Sequence, residues 1–177
     1  MIKCIVYLLL TTITLQVTAQ KLYTKNASIS FINKTNVQNI NALNKAGTIV
    51  IDGASGAIAM SLLIKSFTFS KALMQQHFND NYMESNTYPK SEFKGTITNN
   101  AAINYKKDGT YPANIKGQLT MHGITKEVTT TGTITVKGGA TSATSTFTIT
   151  LDDYKIKTDQ IGKTATITIN TGTLTAK

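Results

Sequence analysis

The sequence predicts an all-β fold of about eight antiparallel strands closed into a barrel, with one amphipathic helix near a barrel mouth. Apolar residues alternate with Thr, Ser and Lys along most of the chain, the period of a strand with one buried face. Turn signals recur at Asp52-Gly53, Lys107-Asp108-Gly109, His122-Gly123 and Gly138-Gly139, the rhythm of a sandwich or barrel. One stretch alone, beginning at Ser70, carries apolar groups three and four residues apart, as a helix requires. One helix laid on a large antiparallel sheet is a common way to close a barrel end, and barrels of this size tend to enclose something.

Residues 1–19 read as a cleaved signal peptide, with Lys3 as the positive region, Ile5 to Leu15 as the apolar stretch and Val17-Thr18-Ala19 as the cleavage site. The apolar part is short of the roughly 20 residues a membrane span needs. Cleavage after Ala19 leaves residues 20–177 as one β domain.

Leu22 to Ile32 holds the alternating run Ala27-Ser28-Ile29-Ser30-Phe31, a half-buried strand. Lys34 to Lys45 is polar and Asn-rich, and reads as a long loop or a weak helical turn. Gly47 to Ile51 and Gly56 to Ile64 are two strands about the Asp52-Gly53 turn. Phe67-Thr68-Phe69 leads into the helix. Ser70 is placed to cap it, because a hydroxyl can accept a bond from an unpaired first-turn amide. Leu73, Met74, His77, Phe78, Asn81 and Tyr82 share one face, and Asn86 and Pro89 end the element.

Phe93 to Thr98 resumes a strand, and residues 99–110 form a polar connection. Ile115 to Met121 and Ile124 to Lys137 are strands separated by His122-Gly123, with Gly132, Ile134 and Val136 on one face of the second. Gly138-Gly139 is a hairpin loop that needs positive φ. Ala143, Ser145, Phe147, Ile149 and Leu151 alternate in the returning strand. Lys163 to Leu174 closes the chain, with Ala165, Ile167 and Ile169 facing in. Glycines 56, 95, 117 and 132 are read within strands, where they make a bend or leave room for something.

The formal charge is +9 and no residue is arginine. The lysines are scattered, and the planar fork that reads base edges and phosphates is missing, so nucleic acid is not an expected partner. A solubilising surface in transient contact with anionic membranes fits better. The single cysteine, Cys4, lies in the leader, so residues 20–177 hold no thiol for disulfides, thiolate catalysis or Cys-based zinc sites.

His77 and His122 are the candidates for catalysis or metal binding, but no His-Glu-x-x-His spacing occurs and structural roles are favoured. For His122 the expectation is a ring that fixes its tight turn through a backbone carbonyl. Asp152 and Asp153 are adjacent on a strand-like stretch and point apart, so a turn role beside Tyr154 is expected. No Gly-x-Ser-x-Gly elbow or phosphate-cradling loop is present. The chain does not read as an enzyme, and no cofactor or metal is expected.

Two segments carry a resemblance. Gly117-Gln-Leu119-Thr-Met121-His122-Gly123-Ile124-Thr125-Lys126-Glu127-Val128-Thr129 is similar to the G-x-L-T-x-H-G-V-T-K-x-V-T signature of the YceI-like family of exported lipid-binding proteins. Met74 to Ser85, followed by Tyr88-Pro89 and Phe93-Lys94-Gly95, resembles that family's helix-and-return segment in the variant common in Bacteroidetes. Ala27-Ser28 and Asp153-Tyr154 match weaker positions, and the similarity runs in order through residues 20–177. Ala27-Ser28 stands where the family often has His-Ser, and Lys34 replaces another common histidine, which puts the polar contacts to a head group in question.

The resemblance implies a lipocalin-like barrel around an elongated apolar tunnel holding a polyisoprenoid, such as a quinone tail. The inward sets then nominate Phe93, Ile97, Ile134, Phe147, Ile149 and Ile167 as lining. Phe67, Phe69, Leu73, Phe78 and Tyr82 join them from around the helix. The expected protein is periplasmic or secreted, a monomer or homodimer, with an amphiphilic lipid as ligand. Two other readings stay open: a structural or adhesive envelope protein with a filled β core, and an enzyme acting on a lipid head group through His77 or His122.

Overall fold

The computed structural model describes residues 21–35 and 39–176; the expected leader lies outside the described residues. Eight long strands carry the fold: β1 (Lys21–Lys34), β2 (Asn39–Asp52), β3 (Ala57–Leu63), β5 (Lys90–Ile97), β6 (Gly109–Met121), β7 (Ile124–Lys137), β8 (Ala140–Thr150) and β9 (Thr164–Ala176). A two-residue β4 (Thr68–Phe69) and the helix α1 (Ala72–His77) lie between β3 and β5. Going round the wall, the order is β1-β9-β8-β7-β6-β5-β3-β2, and β2 pairs back onto β1. Every one of these pairs is antiparallel. The sheet is a closed barrel, as the alternation predicts.

Inward positions follow the period of two. Ile134 and Val136 of β7, Ile149 of β8 and Ala165 of β9 are buried, and Thr residues of the same strands stand outside. Outer threonines pair across strands, Thr146 with Thr168 (3.2 Å) and Thr148 with Thr166 (3.4 Å), contacts that suit a β-branched exterior. Gly138 and Gly139 turn the β7–β8 hairpin at φ of 56° and 78°, values that a side chain would resist.

Several local expectations are corrected. Residues 39–45, read as loop or helical turn, are the first half of β2, and Ala42 pairs with both Phe31 and Phe69. The alternation is hidden there because the inward residues are Ala42 and Asn44. Asn44 is fully buried, its amide donating to Leu63 O (2.9 Å) and its oxygen accepting from Ala46 N (2.8 Å). Gly56 is in the β2–β3 turn rather than a strand. Its φ is +76°, and its N–H donates to Asp52 O at 2.7 Å. The Asp52 carboxylate accepts the amides of Ala54 and Ser55 in the same turn, and the Ser55 amide in particular holds its pKa below the usual value.

The helix is shorter than its periodicity suggests. Lys71 precedes its first residue with no side-chain cap, so Ser70 does not cap it. After His77 the chain widens into a π turn, Phe78–Tyr82, whose bonds run from Met83 N to Phe78 O and from Ser85 N to Asn79 O. Phe78, Tyr82 and Met83 pack toward the barrel, and Leu73, in the regular helix before the wide turn, stays on the outside, 62% exposed.

Candidate functional site

β1, β3, β6 and β8 run toward one end of the barrel, and β2, β5, β7 and β9 run away from it. That end gathers the 70–89 segment, the β6–β7 turn at His122-Gly123 and the 151–163 connection. Inside it is a cavity of about 240 Å³ lined mostly by Ile, Leu, Met and Phe side chains. Deeper in the barrel is a second space of about 80 Å³ lined by aliphatic and aromatic side chains with a few threonines and a serine. Met60, Leu119 and Phe147 border both, so the two are consecutive chambers with a shared waist. A single water needs only about 10–15 Å³, so the outer chamber alone has room for a hydrocarbon chain.

The expected lining residues divide between the chambers. Phe67, Phe69, Phe78, Tyr82, Phe147, Ile149 and Ile167 border the outer one, and Phe93, Ile97, Ile134 and Phe147 the inner one. Leu73 borders neither, because it faces solvent. Inward side chains such as Phe147, Ile167 and Ile169 are only half-buried. The surface they leave uncovered is the chamber itself, which is how a barrel wall reads when its centre is not filled.

An aromatic cluster holds the cover. Phe78 stacks on Phe31 at 5.5 Å and meets Phe67 edge-on at 5.6 Å and Phe69 tilted at 5.0 Å. Met74, His77, Phe78, Tyr82 and Met83 all face the outer chamber from this segment. Across the mouth, Asn33 of β1 fixes the 162–164 stretch: its amide donates to Gly162 O (2.7 Å) and Thr164 O (2.8 Å), and its oxygen accepts from Gly162 N (2.9 Å). Gln160 and Ile161 are thereby held at the rim.

Sequence reasoning missed several walls. Phe31, Met60 and Leu119 sit on strands whose alternation already pointed them inward, so the signal was present. Ile156, Gln160 and Ile161 come from an irregular connection with no period to read.

Polar groups are few and mostly spent. No Lys, Asp or Glu lines either chamber. Asn33 is satisfied as described, and Ser91 Oγ donates to Thr120 O at 3.1 Å. His77 is exposed at the rim. His122 borders neither chamber; it is buried in its turn, with Nδ1 2.9 Å from Tyr154 O. It does bind a backbone carbonyl, though one 32 residues away rather than in its own turn. Asp152–Tyr154 form a 3-10 turn, and burial, with Asp153 adding to it, pushes the Tyr154 phenol up. Among the described residues, no three His, Cys, Asp or Glu side chains gather to hold a metal ion.

Fold and interior together define a lidded, hollow, lipocalin-like barrel whose lining is almost wholly apolar. The chain belongs to the YceI-like family, whose domain it matches over residues 20–172. Among solved structures it is similar to a polyisoprenoid binding domain from Saccharophagus degradans implicated in plant cell wall breakdown. That likeness has a TM-score of 0.75 at 13% identity and covers 90% of this chain and 99% of the other. Burkholderia cenocepacia BcnA follows at TM-score 0.68 and 17% identity, covering 84% and 96%. A Campylobacter jejuni YceI protein has TM-score 0.58 and 18% identity, covering 82% and 90%. At these identities the likeness is one of fold. No curated protein matches the chain by sequence.

Proposed function

We propose that this chain is an exported binding protein that holds an amphiphilic lipid, a polyisoprenoid or isoprenoid quinone, with its tail in the two chambers and its head at the rim. The observation that carries the reading is unfilled apolar space along the barrel interior, bordered by no charged side chain. Burying ten methylene equivalents there contributes about 8 kcal/mol before association costs, so a chain-like guest needs few hydrogen bonds. The lone polar rim, with His77, Tyr82 and Gln160, is where a head group would meet water. The family membership and the polyisoprenoid-binding neighbour support the same class of ligand. Unfilled volume also counts against a structural protein with a solid core.

Organic extraction of protein purified from its producing cells, followed by mass spectrometry, is expected to release an isoprenoid lipid. The reading fails if the extract is empty and stripped protein also takes up no isoprenoid quinone. Intact-mass measurement of the protein from the secreted or periplasmic fraction is expected to show a chain beginning at Gln20. A chain retaining Met1 in that fraction would refute the cleaved leader.

A further inference from the structure

The barrel is closed, but one seam of its wall is laced for only part of its height. β7 pairs with β6 from Ile124 opposite Met121 to Val136 opposite Gly109, and β8 pairs with β9 as far as Thr150. Between β7 and β8 the ladder stops at Gly132 opposite Ser145. Residues 124–131 of one strand and 146–150 of the other have no partner across this seam. A side-chain bond from Ser145 Oγ to Thr131 O, 2.8 Å, closes the deep end. Gly132 permits the close approach there, because a Cβ on it would come 2.7 Å from Thr144 O. At the mouth end the 151–157 connection crosses to the β6–β7 turn, where the Tyr154 carbonyl meets His122 Nδ1 at 2.9 Å. Between these two closures the wall has a window.

The window opens on the inner chamber. Val128 and Thr130 from β7 and Ser145 and Phe147 from β8 border that chamber. So do Thr133 and Thr144, register partners at outward positions. Burial changes at the same place. The inward residues of β7 in its laced half, Ile134 and Val136, are buried, and those beside the window, Ile124, Val128 and Thr130, are only partly covered. One inward position carries a charge. Lys126 is the register partner of the waist residue Leu119, and opposed residues of an antiparallel pair share a face. Behind a fully laced wall an inward ammonium would lose its hydration without compensation; Lys126 is exposed instead. It makes no ion pair among the described residues, and its neighbour Glu127 is engaged by Lys116 at 3.2 Å. Asp152, in the connection that ends the window, accepts from Thr158 Oγ1 at 2.9 Å.

We propose that the window is a second guest site, for an anionic amphiphile: its tail enters the inner chamber between Val128 and Phe147, and its carboxylate or phosphate head stays outside at Lys126. The apolar space selects the tail, and an unpaired cation on the same face selects the sign of the head. The site lies away from the lidded mouth with its rim of His77, Tyr82 and Gln160, so it goes beyond the isoprenoid reading and stands without it. The inner chamber, about 80 Å³, takes a short tail. An isoprenoid tail long enough to fill both chambers excludes it.

The test is titration of the intact protein with octanoate, octyl phosphate and octanol, followed by amide chemical shifts. Acetate and inorganic phosphate serve as heads without tails. The anionic amphiphiles are expected to move the amides of residues 126–131 and 144–149, and whichever binds more tightly identifies the head. Acetate and phosphate should need at least about tenfold higher concentration, the effect of burying about two methylenes. Lys126→Gln should weaken octanoate and octyl phosphate about three- to fivefold, the scale of an exposed ion pair, and leave octanol unchanged. Lys94→Gln, on the outer face of β5, should alter none of them. Shifts that gather at Asn33 and Gln160 instead, heads that bind as tightly without their tails, or a Lys126→Gln variant that loses octanol as much as octanoate overturn the site. A long-tailed isoprenoid quinone should displace octanoate, and one that binds with octanoate still in place also overturns it. Should no isoprenoid quinone bind at any length, the isoprenoid reading falls, and the octanoate titration still decides the window.

Discussion

Phe78 of the 70–89 segment stacks on Phe31 of β1, ring centroids 5.5 Å apart and planes inclined by 21°. One ring belongs to the wall and the other to the cover, so this pair fastens the barrel mouth. Phe67 and Phe69 brace it from the connection before the helix.

Phe78→Ala should release that fastening. The ring is half-buried, so the cost to global stability is expected at about 1–3 kcal/mol, below the 3–5 typical of a fully buried Phe. The cover loses more than the barrel does. A guest should leave at least about tenfold faster, the effect of roughly 1.4 kcal/mol. Stopped-flow release beside a urea melt separates the two effects, and unchanged release would show that the stack does not retain the cover.

The waist formed by Met60, Leu119 and Phe147 should set how long a tail can be. Leu119→Trp places bulk between the chambers at an overpacking cost of about 1–3 kcal/mol. Isoprenoid quinones of graded tail length are the probe. Short tails should bind as before and long ones lose affinity; equal loss for all lengths would mean that the chambers do not act in series.

Gly95 and Gly117 are register partners across β5 and β6, and the Phe93 ring covers both. A Cβ on Gly117 would lie 2.5 Å from Lys94 O and 2.6 Å from the ring, and one on Gly95 2.5 Å from Lys116 O. Gly117→Val should therefore displace Phe93 and cost about 2–3 kcal/mol, the upper end of overpacking. Chemical denaturation checks it; wild-type stability would mean that the ring has somewhere else to go.

At the opposite end of the barrel, burial pushes the Tyr105 phenol up to about 12, with the Asp52 charge adding to the effect. Its hydroxyl donates to Asn100 Oδ1 at 2.9 Å. The folded value lies above the unfolded one of about 10, so the unfolded chain releases its proton first. Stability is thus unaffected below about pH 10 and falls between about 10 and 12. Tyr105→Phe should flatten that part of the curve. A variant whose stability falls as steeply as the wild type in that interval would assign the loss to other groups.

What could be read in the sequence follows from where the period of two is clean. From Phe93 onward, Thr-outside and Ile-inside alternation marks β7, β8 and β9, and Gly138-Gly139 marks their turn. The start of β2 was hidden because Ala42 and Asn44 occupy inward positions, and neither looks like core until Asn44 is seen bonding Ala46 and Leu63. Leu73 was misplaced because it lies roughly 100° round the helix from Met74, at the edge of the face that Met74, His77 and Phe78 turn to the chamber. The rim at Gln160 and Ile161 depends on Asn33 bonding across 129 and 131 residues of sequence, a relation no local pattern carries. The pairing of His122 with Tyr154 is non-local for the same reason.

The seam between β1 and β2 has a consequence for how the wall meets its neighbours. β1 is hydrogen-bonded to β2 on one side and to β9 on the other, so the ends of the domain are laced together and this part of the wall offers a neighbouring molecule no open row of amides to extend. A fibril cannot template on such a rim, and a protease must break ladders on both sides to free either terminus. For a domain with no cysteine after Cys4, circular lacing of the backbone does the work that cross-linked sulfurs do in disulfide-stapled domains.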